Sequence, residues 1–466
     1  MMRRLTSLLC LGIALTAGGQ AAPEVSAKVC GNCIRAHEEF LASDALNGRG
    51  SATHDELVAA TYIASELRQY GVEPAGQEGY LSRVPLVRRK VEKTPRLRFH
   101  ANGDRIGWKH GSQMLALSAE SGEVRGVLHK LEVTAETTPA VEANQFYLLN
   151  VKTEKDFTAY DAAKKWLRAG ANAVLIRESA RFREYWKKTA ERLYEPQLSV
   201  ADGSGHVADP KTLIVLSDTA FERLQQAPEG TALSFTAPQS FAPASSWNVI
   251  GKLAGSDAAL AHAGVLFSAH LDHLGVGRAV KGDSIYNGAD DDASGVTAVL
   301  ELARVLGGSR PRRPVWFVLF GAEEAGILGA RYFREHPAMP LSDLAANLEF
   351  EMIGRADPAV AADQLWLTGW DRSNLGPALA AHGARLVADP HPEQKFFERS
   401  DNFELARKGV VAQTISSYGL HEDYHQPSDD LAHLDFAHLE AAIGSLLGPV
   451  EWLVNSDFEP KWEKSF

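Results

Sequence analysis

The runs Val265–Phe267 and Pro314–Phe320, the second reading PVWFVLF, are apolar at every position. A strand with one wet face alternates, so strands like these demand a sheet that is covered on both sides. Helical patterns follow them. Ser294–Leu306 sets Val296, Val299, Leu300, Ala303 and Leu306 on one face, and His438–Val454 reads as a closing helix. Further strands are expected at Asn347–Ile353 and Val410–Ile415. The alternation predicts an α/β fold whose mostly parallel, mixed sheet is flanked by helices. In such sheets the chemistry gathers at the carboxyl ends of the strands.

What stands at those ends is unusual. Val265–Ala269 leads into His270 and Asp272, and Pro314–Phe320 into Glu323 and Glu324; Asn347–Phe350 leads into Glu351, and Val410–Ser417 into His421, Glu422, Asp423 and His425. The stretch Val265–Gly295 also carries the consecutive acids Asp290, Asp291 and Asp292. A single histidine after a strand is usually a satisfied structural residue, and a Glu-Glu pair is usually a solvated helix start. Four such ends converging on one sheet edge would be costly without a cation, which predicts a metal centre.

The remainder of the chain frames that centre. At 466 residues it is too long for one ordinary core, so two domains or one domain with a large insertion are expected. A net charge of −11 argues against a nucleic-acid partner. Two arginines, the short apolar run Leu5–Ala17 and Gly19-Gln20-Ala21 read as a signal peptide over residues 1–22, too short to span a bilayer. The protein is therefore expected to be exported, periplasmic or secreted, with Cys30 and Cys33 joined in a local disulfide. Residues 23–94 form a lead-in with a helix from Ser51 to Tyr70. Residues 95–241 read as an inserted, mostly β domain, with strands at Leu97–Phe99, Val124–Leu128, Phe146–Val151, Ala173–Ile176 and Thr212–Leu216 and a helix at Ala159–Ala169. Ala242–Ser246 reads as a linker into a catalytic domain over residues 242–466.

Five motifs then carry a family resemblance: Ala269–His273 (AHLDH), Gly288–Gly295 (GADDDASG), Gly321–Gly326 (GAEEAG), Glu351–Gly354 (EMIG) and Asp423–Asp429 (DYHQPSD). As a set they resemble the M28 family of zinc exopeptidases. The resemblance implies a phosphorylase/hydrolase-like α/β fold with two zinc ions at the sheet edge, and a protease-associated (PA) type insert around Tyr147–Ile176. Carried over by position, it makes Asp291 the carboxylate bridging both metals, His270 and Glu351 the remaining ligands of one, and Glu324 and His425 those of the other. Glu323 becomes the general base, and Asp272 orients His270 through its second ring nitrogen. Asp290 and Asp292 fall outside the ligand set. Glu351 stands where the family most often has Asp, and Glu349 is the weaker substitute ligand; manganese or cobalt are alternatives to zinc.

The implied function is an aminopeptidase acting on peptides, with a carboxypeptidase or dipeptidase of the same family, or a catalytically silent receptor-like ectodomain, as alternatives. Glutaminyl cyclisation on a similar fold uses one zinc, and the complete ligand set counts against it. Arg355 and Arg399 are basic candidates for holding a substrate carboxylate, although pairing with nearby acids is the ordinary reading of both. His421–His425 also spells H-E-x-x-H, a zinc signature that works only on a helix; Gly419 and Pro427 argue for a loop.

Overall fold

In the computed structural model, which describes residues 28–101, 103–152, 157–202 and 211–464, both apolar runs are central strands of one large sheet. The expected signal peptide lies outside the described residues. We number the strands along this sheet in chain order: β1 Leu81–Val91, β2 Gln197–Val200, β3 Gln239–Leu253, β4 Gly264–His270, β5 Val315–Phe320, β6 Leu344–Phe350, β7 Leu365–Leu367, β8 Leu386–Ala388 and β9 Val411–Ser416. Their spatial order is β8-β7-β9-β6-β4-β5-β3-β1-β2, with the short segment Glu73–Pro74 added on β3. The middle of the sheet, β9-β6-β4-β5, is parallel, and β3, β1 and β2 continue it antiparallel, so the sheet is mixed as expected.

Both faces are covered, which is why the central strands show no alternation. The sheet-flanking helices are α1 Gly31–Leu41, α2 His54–Gln69, α3 Gly295–Gly307, α4 Leu328–Glu335, α5 Asn402–Ala406 and α6 Phe436–Asn455. Val265, Phe267, Phe317, Leu319, Leu348 and Phe350 point into one core, with Ile63 of α2, Val299 of α3 and Leu446 of α6. Leu266, Val318 and Phe320 point into the other, with Phe333 of α4 and Leu405 of α5. Each such side chain contributes about 1.5–3 kcal/mol of burial. The disulfide Cys30–Cys33 forms at the start of α1. Among the described residues no helix is long and apolar enough to cross a membrane.

Between β1 and β3 the chain builds a second, eight-stranded sheet whose strands run from Arg96 to Ala237, with a core on each face. All the strands expected there form, as does the helix Ala159–Arg168, started by a reciprocal Thr158–Asp161 capping box.

Two features differ from the sequence reading. Ala242–Ser246 is no linker: it lies inside β3, in continuous register with β1 from Gln239↔Val91 to Val249↔Leu81. In addition, Gln197–Val200 leaves the insert to pair with β1 in the main sheet. Leu198 and Val200 thereby pack beside Val84, Leu86, Ala322 and Leu328, next to the loop that carries Glu323.

Candidate metal centre

The four strand ends converge. After His270 the chain reaches His273, forms a hairpin of Gly275–Val280 with Asp283–Tyr286, and turns at Gly288 into the segment Ala289–Ser294 that precedes α3. Gly288 has φ +62, and a Cβ there would lie 2.2 Å from the Asp291 carbonyl and 2.5 Å from the His273 ring. Only glycine lets the acid-bearing loop fold back against that imidazole.

Asp291 is the hub. Its Oδ1 lies 3.1 Å from His270 Nε2, and its Oδ2 lies 3.3 Å from His425 Nε2. His425 Nε2 is also 3.2 Å from Glu324 Oε2. His270, Asp291 and Glu351 can present ligand atoms within 4.8 Å of one another, and so can His273, Asp291 and Glu324. Every ligand position expected from the sequence is therefore in this cluster.

His273 is the residue the sequence reading left without a role. It is fully buried, and its Nδ1 lies 2.9 Å from Glu324 Oε1 and 3.8 Å from Asp291 Oδ2. Its position three residues after His270, inside the quoted AHLDH motif, was the available signal.

The donor set fits a divalent cation on its own evidence. Among the described residues, His270 Nε2, both ring nitrogens of His273, Glu324 Oε1 and His425 Nε2 are buried without a hydrogen-bond partner. Four of the five lie within 3.3 Å of an oppositely charged atom without hydrogen-bond geometry, and such a crowd of imidazole and carboxylate donors is what an ion would satisfy. Burial alone would raise Asp291, but His273, His270 and His425 outweigh it and hold the carboxyl well below its ordinary range. Glu323 goes the other way: burial, with Asp401, Glu324 and Glu351 nearby, pushes it well above, against the pull of His270.

The surrounding groups hold backbone. Asp292 accepts the N–H groups of His270 (3.2 Å), Gly295 (3.1 Å) and Met352 (3.1 Å), tying the strand ends of β4 and β6 to the loop. Asp290 accepts from Gly354 N–H at 2.7 Å and Ser294 Oγ at 3.1 Å. Both acids thus shape the loop. Arg49, fully buried, donates to the carbonyls of Leu271, Leu41, Asn287 and Gly288. Glu56 of α2 accepts the N–H of Ala322 at 3.0 Å and the Ser246 hydroxyl at 2.7 Å. Ala322, Met352 and His425 have φ of +51, +56 and +57, costing about 1–3 kcal/mol each, and such strain collects where a site over-determines its geometry.

Asp272 does something other than expected. His270 Nδ1 meets the Asp272 main-chain carbonyl at 3.1 Å, while the carboxylate is 3.9 Å away. The carboxylate instead accepts the Glu323 N–H at 2.9 Å and the Ser51 hydroxyl at 2.5 Å. Glu349 accepts from Ser400 Oγ at 2.8 Å and from the Asn402 N–H, which occupies it structurally. Of the H-E-x-x-H residues, His421 Nε2 lies 3.2 Å from Asp290, and Glu422 is exposed in a turn. No helix presents that motif.

A small cleft opens onto the cluster. Asp291, Glu323, Glu324, Glu351 and His425 line it, together with Met352, Trp366, Phe396, Arg399 and Tyr424 among others. Arg355 is absorbed by acids, at 2.6 Å from Asp423 and 3.2 Å from Asp429.

Residues 248–447 match the sequence profile of Peptidase family M28. Aminopeptidase YwaD of Bacillus subtilis (strain 168) is 25% identical over 314 residues, which is 66% of this chain and 62% of that protein. A vacuolar membrane protease of Schizophyllum commune is 37% identical over 102 residues, 22% of this chain and 10% of that protein. The chain thus spans less than two thirds of these relatives' length. Among solved structures, an aminopeptidase from Aneurinibacillus sp. strain AM-1 superposes with a TM-score of 0.58 at 18% identity, over 92% of this chain and 95% of that one. The zinc aminopeptidase BSAP from Bacillus subtilis gives 0.53 at 19% identity, over 93% and 97%. At these identities the likeness is one of fold.

Proposed function

We propose that this chain, whose residues 248–447 match Peptidase family M28, is an exported di-zinc aminopeptidase of that family removing N-terminal residues from peptides. The observation that carries the reading is the sharing of Asp291 between two ligand groups, His270 with Glu351 and Glu324 with His425 and His273. Zinc held there would supply Lewis acidity, making a water acidic near neutral pH and polarising the scissile carbonyl.

The chain's own residues do the rest. The Glu323 carboxylate accepts the proton from the attacking water and returns it to the nitrogen of the leaving amine as the C–N bond breaks. Asp272 fixes the Glu323 main chain, and Glu56 fixes that of Ala322, so the base sits on a doubly anchored turn. Glu324, one residue on, is committed to the cluster and cannot serve as base. Met352, Trp366 and Phe396 offer an apolar wall for the side chain of the N-terminal residue. We read the 96–237 unit as a PA-type insert that borders the site through Leu198 and Val200 beside Ala322.

The test is metal analysis joined to hydrolysis of aminoacyl reporters. Two equivalents of zinc per chain, cleavage of free but not N-blocked reporters, and loss of cleavage on chelation with recovery on zinc addition are expected. A metal-free, inactive protein would favour the receptor-like ectodomain, and cleavage of N-blocked peptides from the carboxyl end would favour a carboxypeptidase.

A further inference from the structure

Four acids, Asp291, Glu323, Glu324 and Glu351, line the cavity, and among the described residues the one permanent cation beside them is Arg399. It differs from every other arginine near the site. Arg355 is drawn to within 4.0 Å of Asp290, Asp423 and Asp429, and Arg49 spends its donors on backbone carbonyls. Arg399 is exposed and no acid lies in ion-pair range of it among the described residues. Its guanidinium sits 5.1 Å from the centroid of the Phe396 ring, which is itself stacked on Trp366 at 5.3 Å. Stacking on an aromatic plane holds the fork in place while leaving its N–H edge unspent. In the lining of the same cavity the Thr414 hydroxyl is buried, 2% exposed for the residue, and lacks a hydrogen-bond partner.

A stacked guanidinium and an unspent hydroxyl, both lining the cavity that holds the carboxylate cluster, form a receptor for an anion carried by the substrate. We infer that Arg399 is a specificity-determining residue that binds a substrate carboxylate. This inference rests on the peptidase reading for its substrate class. The chemistry has two sources, the free α-carboxylate of a dipeptide and the side-chain carboxylate of an N-terminal Asp or Glu. Either would be drawn into a site whose acids otherwise repel it, and the charge-assisted pair would be screened by salt.

The experiment uses the zinc-loaded protein in the E323Q background, where substrate binds without turnover, and measures affinity by calorimetry. Leu-Gly is compared with Leu-Gly amide, and Glu-Gly amide with Gln-Gly amide. A preference of about tenfold or more for the acid in the first pair identifies the α-carboxylate, and in the second the side chain. The preference should fall towards one in E323Q/R399Q, recover in part in E323Q/R399K, and shrink with added salt. Acid-to-amide ratios near one in both pairs, or a ratio that R399Q leaves unchanged, overturn the inference. Because the readout is binding, a protein that hydrolyses nothing yet prefers the acids through Arg399 would sink the peptidase reading and keep this one. A protein that cleaves reporters without any such preference would do the reverse.

Discussion

Asp272 Oδ1 accepts the main-chain N–H of Glu323 at 2.9 Å, so the acid beside one histidine positions the backbone of the base rather than the imidazole. Replacing Asp272 with Ala removes that anchor and strands the Ser51 hydroxyl as well. Groups that orient a metal site typically cost about 10–100-fold in activity or affinity when removed. D272A is expected to lose activity in that range through kcat while keeping most of its zinc, measured by steady-state kinetics and metal analysis on the same preparation. A loss of zinc with kcat per bound metal unchanged would return Asp272 to the histidine.

The two candidate bases make opposite forecasts. Glu323 lines the cavity, whereas Glu422 is exposed in a turn. E323Q should cut kcat by about 10²–10⁴-fold, the usual worth of a positioned general base, and E422Q should leave it within about twofold. Kinetics on one aminoacyl reporter decide between them, and the reverse pattern would restore the H-E-x-x-H reading.

The central strands were legible because burial on both faces removes alternation, and the ligands were legible because each stood at the end of such a strand. Ala242–Ser246 misled for a physical reason. Its half of β3 pairs only with β1, so Pro243 forfeits no second ladder bond and the exposed residues there read as a linker. Gln197–Val200 gave no local sign of joining the main sheet, since its partner β1 lies more than a hundred residues earlier and the four-residue strand is only half-buried. Side-chain direction was equally silent: nothing in the letters H-L-D-H says that Asp272 turns to Glu323, or that His273 turns inward.

Arg49 should matter for stability before it matters for catalysis. Its guanidinium is fully buried and serves carbonyls from the lead-in, from the end of β4 and from the loop before Asp291. Truncation leaves several buried acceptors unpaired at about 1–3 kcal/mol each. R49A is therefore expected to lose at least about 3 kcal/mol in urea unfolding, with R49K intermediate because an ammonium cannot reach all four carbonyls in one plane. Unchanged stability would mean that water replaces the guanidinium.

His273 provides the sharpest metal test. Both of its ring nitrogens are buried without a hydrogen-bond partner, and Nδ1 faces Glu324 and Asp291, on the side of the cluster that His425 also approaches. His425 is about one third exposed and His273 is not exposed at all, so the buried ring is the better-shielded donor. If it contributes to that ion, removing it should lower retention there and leave the ion between His270 and Glu351 in place. H273A is expected to keep about one equivalent of zinc after dialysis where the parent keeps two, by mass-spectrometric metal analysis. In the cobalt-loaded protein the visible absorption should change for one site only. If H273A instead retains both ions with an unaltered cobalt spectrum, His273 only supports Glu324, and its loss should appear as lower stability of the Gly288–Asp291 turn packed against it.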